Sequence, residues 1–500
     1  MTQGARSIWS RAEAHPVRTL AIAIVFAGAL RAPFLTVPYT PDEGGFLMVA
    51  HQWHGRGDGL YTNQWVDRPP LLLLVFKLAD VVGGGPVMLR LLCFVFGCIS
   101  ISAAWWAGRT IAGARGAVAA ALVTGAITSS FANDGFVLTG EAVGVAFVMS
   151  SCALLLHAVY GGKSAPVAAS WAILAGLLAG MAFLSKQNFI DAGIFAAVLL
   201  GTGLRSWWRL ALAGLWGLAL PFLVTVAWAR SPDGPGLNRL LVAMFRFRER
   251  SLNVIEDASL DAPLQRLKML GVIAVVTGLV LLMWQVVAAV RRTSPRRNLR
   301  LAVASMLLYA VLSILVGASW WAHYLLQLVP VLAMGTALAT RHVAGRLSSR
   351  VATSYCVVAA TVITMALAGW TWAGHRPVAQ EQTVADYLRH ASQPDDSVVL
   401  GYGAPNIIEM SGLTTPYRYS WSLPVRTRDP HLKELVAVLA GPDAPTWLVE
   451  IGDFDWWGLD NAEFQQVRAE RYRQVSTVCG HAIYELVGQS RELPPAPVCP

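Results

Sequence analysis

Between Tyr39 and Leu74 the chain reads YTPDEGGFLMVAHQWHGRGDGLYTNQWVDRPPLLLL, with adjacent carboxylates at one end and Asp67-Arg68-Pro69-Pro70 at the other. Neighbouring side chains point differently, so of Asp42 and Glu43 one can act as a base while the other holds structure. A solvated loop or a helix cap is the alternative use of the pair. Pro69-Pro70 suits the first turn of a helix, where a missing N–H costs nothing. Arg68 then faces the positive end of that helix dipole, which calls for an accompanying anion. Residues 46–53 are apolar enough to lie as a short helix in a membrane interface. A base and a cation flanking such a helix could act on an anionic, lipid-attached molecule.

Other charged positions interrupt apolar sequence further on. Glu141 lies in Leu138-Thr-Gly-Glu, and a carboxylate at bilayer depth costs roughly 2–3 kcal/mol, so it is expected to face a polar cavity. Asn133-Asp134 competes with it as the nearby acidic position. Lys186, after Gly180-Met-Ala-Phe-Leu-Ser, wants an anion, either a lipid phosphate or Glu141; snorkelling to the interface is its bland use. Arg246, Arg248 and Arg250 alternate with other residues in Met244-Phe-Arg-Phe-Arg-Glu-Arg, a pattern suited to headgroup or phosphate binding. His323 and Tyr324, in Trp320-Trp-Ala-His-Tyr, stand where they could touch phosphate or serve structure. Asp453-Phe-Asp-Trp-Trp-Gly could stack on sugar rings or anchor at an interface.

The elements that must position these residues are membrane helices. The chain has 500 residues, 55% hydrophobic and only 14% charged, against about 25% charged in soluble proteins. Eleven spans are expected, at 17–35, 86–107, 115–131, 138–160, 166–184, 188–204, 208–229, 267–290, 299–317, 320–340 and 351–373, each close to the length a bilayer core requires. The first is too long for a signal sequence and reads as a retained helix. Six connections on one side carry the basic residues, among them Arg109, Arg115, Arg205, Arg291, Arg292, Arg296, Arg341 and Arg350. By the positive-inside rule that side, with the N-terminus, is cytoplasmic, and an odd number of spans puts the C-terminal part outside. The first loop, residues 36–85, is outside too.

Residues 376–500 hold 10 basic and 16 acidic residues, so the net charge of +9 belongs to the membrane part and is not a nucleic-acid signature. Ser397-Val-Val-Leu-Gly-Tyr, Thr446-Trp-Leu-Val-Glu-Ile and His481-Ala-Ile-Tyr-Glu-Leu-Val read as strands, with helical spacing around 379–391, 431–440 and 461–471. The division is therefore a membrane region 1–375 and a small α/β domain 376–500. Cys479 and Cys499 are the cysteines of that domain and could pair, or stay free, in an oxidising compartment. No Cys-x-x-Cys or His-Glu-x-x-His spacing suggests a metal.

An acidic pair in the first outer loop, an interfacial helix and then Arg-Pro-Pro-Leu resembles the GT-C glycosyltransferases, in particular the protein O-mannosyltransferase family (family 39) and the lipid A aminoarabinose transferases. Those families have Lys where this chain has Arg68; arginine keeps the charge and adds a fork suited to phosphate. Phe183-Leu-Ser-Lys186 is similar to their Phe-Leu-Thr-Lys segment, and His323-Tyr324 to a stretch preceding a proline. The resemblance implies a bundle of eleven to thirteen membrane helices with a soluble outer domain. It implies sugar transfer, with inversion, from a polyprenyl-phosphate carrier to an envelope glycan, lipid or protein. Asp42 would be the catalytic carboxylate, with Glu43 beside it and Glu141 as the second acidic residue. Arg68, Lys186, Arg246, Arg248, His323 and Tyr324 would hold donor phosphate. No cofactor is required, although a divalent cation could bridge Asp42 or Glu43 to the phosphate.

Two other classes fit the same composition. A flippase for polyprenyl-linked sugars would use a basic cavity without breaking a bond, but a transporter's working charges usually lie near the midplane. A non-catalytic envelope-assembly protein would tolerate replacement of Asp42. The abundance of arginine over lysine, 34 to 5, fits a high-GC bacterium and hence a plasma-membrane setting.

Overall fold

A computed structural model describes residues 3–54, 59–256, 261–292, 296–375, 378–401, 403–451 and 459–500. The Asp453–Gly458 stretch of the sequence reading therefore lies outside the described residues.

Eight described helices are long and apolar enough to cross a membrane, or nine if the bent pair Asp261–Val276 and Leu279–Arg291 is one span. The expected eleven is not reached by this criterion. Two spans expected at 86–107 and 115–131 form one continuous element, Pro86–Ser129, broken at Ala112 and at Gly113, whose φ is +66°. The break is a reversal. Gly108 and Gly116 touch so closely that neither could carry a Cβ, and a Cβ on Gly125 would lie 3.6 Å from Ile101. The two halves thus run antiparallel, and glycine supplies the left-handed residue that a turn this tight requires. The expected span 188–204 shortens to Asp191–Gly201.

The spans pack through small residues. Gly176 and Gly217 bring the helices Ala165–Ser185 and Leu204–Arg230 into backbone contact. Such close approach drives helix association where lipid removes the hydrophobic incentive. Side chains such as Trp216, Val224, Leu308 and Val362 point outward, exposed, as a lipid-facing surface requires. At one end of the bundle the basic connections converge. Arg296 donates to Thr110 O, Arg341 donates to Ile111 O, and Arg115 and Arg350 share Glu13.

The opposite end carries the first loop and the C-terminal sheet. Thr40 caps the helix Pro41–His51: its hydroxyl accepts from Glu43 N, and the Glu43 side chain accepts from Thr40 N. This reciprocal cap is encoded as Thr-Pro-Asp-Glu. The second short helix begins at Pro70, as the Pro-Pro pair predicts, and runs Pro70–Val81. Its exposed Leu74, Leu78 and Val81 suit an interfacial position. The first short helix differs from expectation. Residues 43–50 are all buried, because the C-terminal domain covers them.

In that domain four strands, β1 (Val398–Gly401), β2 (Trp447–Glu450), β3 (Tyr472–Val478) and β4 (His481–Leu486), form a sheet in the order β1-β2-β4-β3. β1 and β2 are parallel, joined through helices; the other pairs are antiparallel. Cys479 and Cys499 form a disulfide, with Cα atoms 5.4 Å apart, that pins the C-terminal segment to the β3–β4 turn.

Candidate active site

The first loop and the C-terminal domain meet over two glycines. A Cβ on Gly44 would sit 2.5 Å from Asn406 Cα; one on Gly45 would sit 2.7 Å from Pro405 Cγ and 2.9 Å from Trp421 Cη2. The run Asp42-Glu43-Gly44-Gly45 therefore couples two carboxylates to a surface onto which another domain can close. Asn406 donates to Tyr39 O at 3.1 Å, and Trp421 packs on Phe46.

This contact decides the fate of Asp42. Trp421 Nε1 donates to Asp42 Oδ1 at 3.0 Å, and Arg68 NH2 stands 3.8 Å from Oδ2. The side chain keeps 42% exposure, so the carboxylate is held and still open to an incoming molecule. Glu43 is its opposite. It is fully buried and paired with Arg90, and it accepts from Leu138 N at 2.8 Å as well as from its cap partner Thr40. Arg90, itself buried, also donates to Val37 O and Pro38 O. Every direction from the Glu43 carboxylate is occupied by protein, so the catalytic role expected for it is withdrawn. It is a structural cap and counterion.

Arg68 has the anion its helix-end position demands. Asp67 Oδ1 lies 2.6 Å from Arg68 NH1, while Arg248 reaches Asp67 Oδ2 at 2.7 Å. Burial pushes the Asp67 carboxyl up, but Arg248 and Arg68 outweigh it and hold the group below the usual carboxylate range. The Arg68 guanidinium also lies over Phe46, and Tyr61 donates to Arg68 O at 2.5 Å. Gln187 donates to Asp67 O and to Met244 O, tying the first loop to the arginine-bearing segment. That segment contains one turn of π-helix, Val242–Arg246. Arg248 turns toward Asp67, whereas Arg246 is exposed and joins none of these ion pairs.

A second set adjoins the first. Glu141, 2% exposed at the start of the helix Gly140–Tyr160, pairs with Lys186. His323 Nε2 lies 3.8 Å from the same carboxylate, and its Nδ1 is 3.1 Å from Asp134 Oδ2. Lys186 Nζ stands 4.2 Å from the centre of the Tyr324 ring. The expected water-exposed alternative for Glu141 is therefore excluded. Of the two anions considered for Lys186, the protein itself supplies Glu141. Asp42 and Glu141 both act on the charge of Arg68, so the two sets form one electrostatic cluster.

Sequence reasoning missed Arg90 and Trp421. Arg90 had a signal, an arginine in the first turn of an apolar span, where an ionisable group needs a named partner. Trp421 had none, because it reaches Asp42 from 379 positions away. For the divalent cation considered above, no group of three or more His, Cys, Asp or Glu able to hold a metal occurs among the described residues.

Residues 67–229 match the family model described as dolichyl-phosphate-mannose-protein mannosyltransferase. No curated protein sequence matches the chain. Among solved structures, ArnT from Cupriavidus metallidurans bound to undecaprenyl phosphate is similar over 94% of this chain and 98% of its own, at 14% identity and a TM-score of 0.64. The Archaeoglobus fulgidus oligosaccharyltransferase in complex with Zn and sulfate is similar over 86% of this chain and 67% of its own, at 13% identity and a TM-score of 0.57. The archaeal oligosaccharyltransferase AglB, bound to an inhibitory peptide and a dolichol-phosphate, gives 12% identity and 0.54. A multi-pass helical bundle with a small C-terminal sheet, matched along nearly its whole length by such structures, is the GT-C glycosyltransferase fold.

Proposed function

We propose that this protein is a membrane glycosyltransferase that moves a sugar from a polyprenyl-phosphate carrier to an acceptor of the cell envelope, with inversion at the sugar's C1. One observation carries the reading: an oriented, half-open carboxylate, Asp42, stands beside an arginine, Arg68, at the bundle end covered by the C-terminal domain. Asp42 takes the proton of the acceptor nucleophile as that atom attacks C1. The bond from C1 to the carrier oxygen breaks on the opposite face, and its electron pair leaves with the phosphate. Arg68, with Arg248 across Asp67, faces the charge that develops there. Trp421 is a positioning residue, since its indole N–H fixes the carboxylate through one oxygen and leaves the other for the proton. The basic connections at the far end support a cytoplasmic position for that end, which would leave the site and residues 376–500 outside, in a bacterial plasma membrane.

The test uses membranes charged with radiolabelled polyprenyl-phosphate sugars, following lipid-linked label and labelled product for wild type and Asp42→Asn. Loss of product with donor binding kept is the expected result. Unchanged product formation by Asp42→Asn overturns the assignment of the base. Label that crosses the bilayer without transfer overturns the reaction in favour of a flippase.

A further inference from the structure

A second basic site lies beside the first loop. Tyr61, Trp65, Arg239, Val242, Arg418 and Arg428 line a cavity of about 150 Å³. Three segments distant in sequence build it: the first loop, the start of the arginine-bearing segment and the C-terminal domain. Its walls are fixed. Trp65 packs edge-on against Phe247 and Tyr419, with ring centres 4.7 and 5.8 Å away, and its backbone N–H donates to Arg418 O.

The charges in this cavity do not cancel. Arg418 is neutralised by a two-pronged pair with Glu434, at 2.7 and 2.5 Å. Asp429, next in the chain to Arg428, is spent on Tyr417 and on the backbone N–H groups of Glu434 and Leu435. Arg428 lies over the Trp65 ring at 5.8 Å, and its Nε is buried with no acceptor among the described residues. Arg239 is exposed at the mouth and makes none of the ion pairs among the described residues. No carboxylate lines the space. Two guanidinium groups around one cavity, one with a buried unmatched N–H, ask for a multidentate anion, and the planar fork of arginine is matched to phosphate oxygens.

We infer that this cavity binds a phosphoryl group, held by Arg239 and Arg428 and separate from the Asp42–Arg68 site. The group would come from a lipid headgroup or from a soluble phosphorylated molecule, and the inference does not depend on the transfer reaction.

The experiment reads thermal unfolding of the full chain in neutral detergent, in inorganic phosphate or in dihexanoyl phosphatidic acid, each against chloride at equal ionic strength. Wild type is expected to show a saturable rise in Tm. Arg428→Gln and, separately, Arg239→Glu should raise the half-saturating concentration about ten- to a hundredfold, the worth of one lost charge-assisted contact. A rise with inorganic phosphate assigns a soluble phosphorylated ligand; a rise with the lipid alone assigns a headgroup. Arg239 is exposed, so Arg239→Glu keeps the test decisive if Arg428→Gln melts early in chloride. No rise with either probe, or an equal rise in wild type and Arg239→Glu, overturns the site. Because no sugar transfer is measured, failure here is distinct from failure of the transferase reading.

Discussion

Replacing the two adjacent carboxylates one at a time should produce opposite failures. Glu43→Gln removes the charge that faces Arg90, while both side chains sit in protein with essentially no exposure. Breaking a buried pair by removing one partner costs about 3–5 kcal/mol, because the survivor is left charged and uncompensated. Gln still accepts from Leu138 N and Thr40, so the loss should stay near the lower end of that range. The expected phenotype is poor yield and early melting in detergent, with residual transfer scaling with folded protein. Removing the stranded charge as well, in Glu43→Gln with Arg90→Met, should recover part of the melting temperature. Asp42→Asn is half-exposed and keeps the volume, so its melting should match wild type. Its transfer rate should fall by about 10²–10⁴, the usual worth of a positioned general base. The assay pairs a thermal melt with product formation at equal folded protein. A Glu43→Gln protein that melts like wild type yet transfers nothing would refute the division of labour argued here.

Three further outcomes follow from the same geometry. Trp421→Phe keeps the packing on Phe46 but deletes the N–H donated to Asp42; a hydrogen bond to a charged group is worth about 1.5–3 kcal/mol, so transfer should drop about tenfold or more at equal folded protein. Arg68→Lys should retain binding of the carrier but lower kcat, because the charge stays while the fork that spans Asp67 and the phosphate is lost. Burial, aided by Asp80 and opposed by His51, pushes the Glu409 carboxyl from near 4.5 up to about 7. A raised acid binds its proton more tightly in the folded state, so stability should fall as pH rises between those two values, and Glu409→Gln should flatten that slope in melts across the range.

What could be read from the sequence was whatever has a local or one-dimensional signature. Apolar runs placed the spans, and the alternation of basic connections sorted the two ends, because both depend on composition alone. The Pro-Pro helix start is likewise local, and so is the Thr40–Glu43 cap, although its consequence for Glu43 went unread: a residue that caps a helix has one oxygen already committed. The pairing of Glu141 with Lys186 was one of two stated options. Partnerships across the fold had no such signature. Arg90 selects Glu43 only because the first loop folds back to bring their helices together. Trp421 reaches Asp42 only because Gly44 and Gly45 let a domain some 380 positions away close over them. The helix count also exceeded what length and apolarity support, since a hairpin with a one-glycine turn and an 11-residue span fall outside that test.

The charge around Arg68 bears on why the cluster should favour the reaction and not merely the donor. Asp67 stands between Arg68 and Arg248, so before substrate arrives neither guanidinium is stranded, and the loop can fold without a ligand. A sugar linked to a carrier through one phosphate carries a single negative charge there, whereas the phosphate that leaves carries up to two. The interaction with a fixed guanidinium therefore strengthens as the bond to C1 lengthens. An interaction that is stronger in the transition state than in the bound donor raises kcat; one that is equal in both only lowers KM. Asp67 works against this difference, because its negative charge offsets more of the attraction for a dianion than for a monoanion. On this reasoning Asp67→Asn, which frees both arginines in the resting state at a cost to folding, should tighten carrier binding and, at equal folded protein, also speed transfer, and an Asp67→Asn protein that bound more tightly yet turned over more slowly would show that the field of these arginines does not act on the phosphate that leaves.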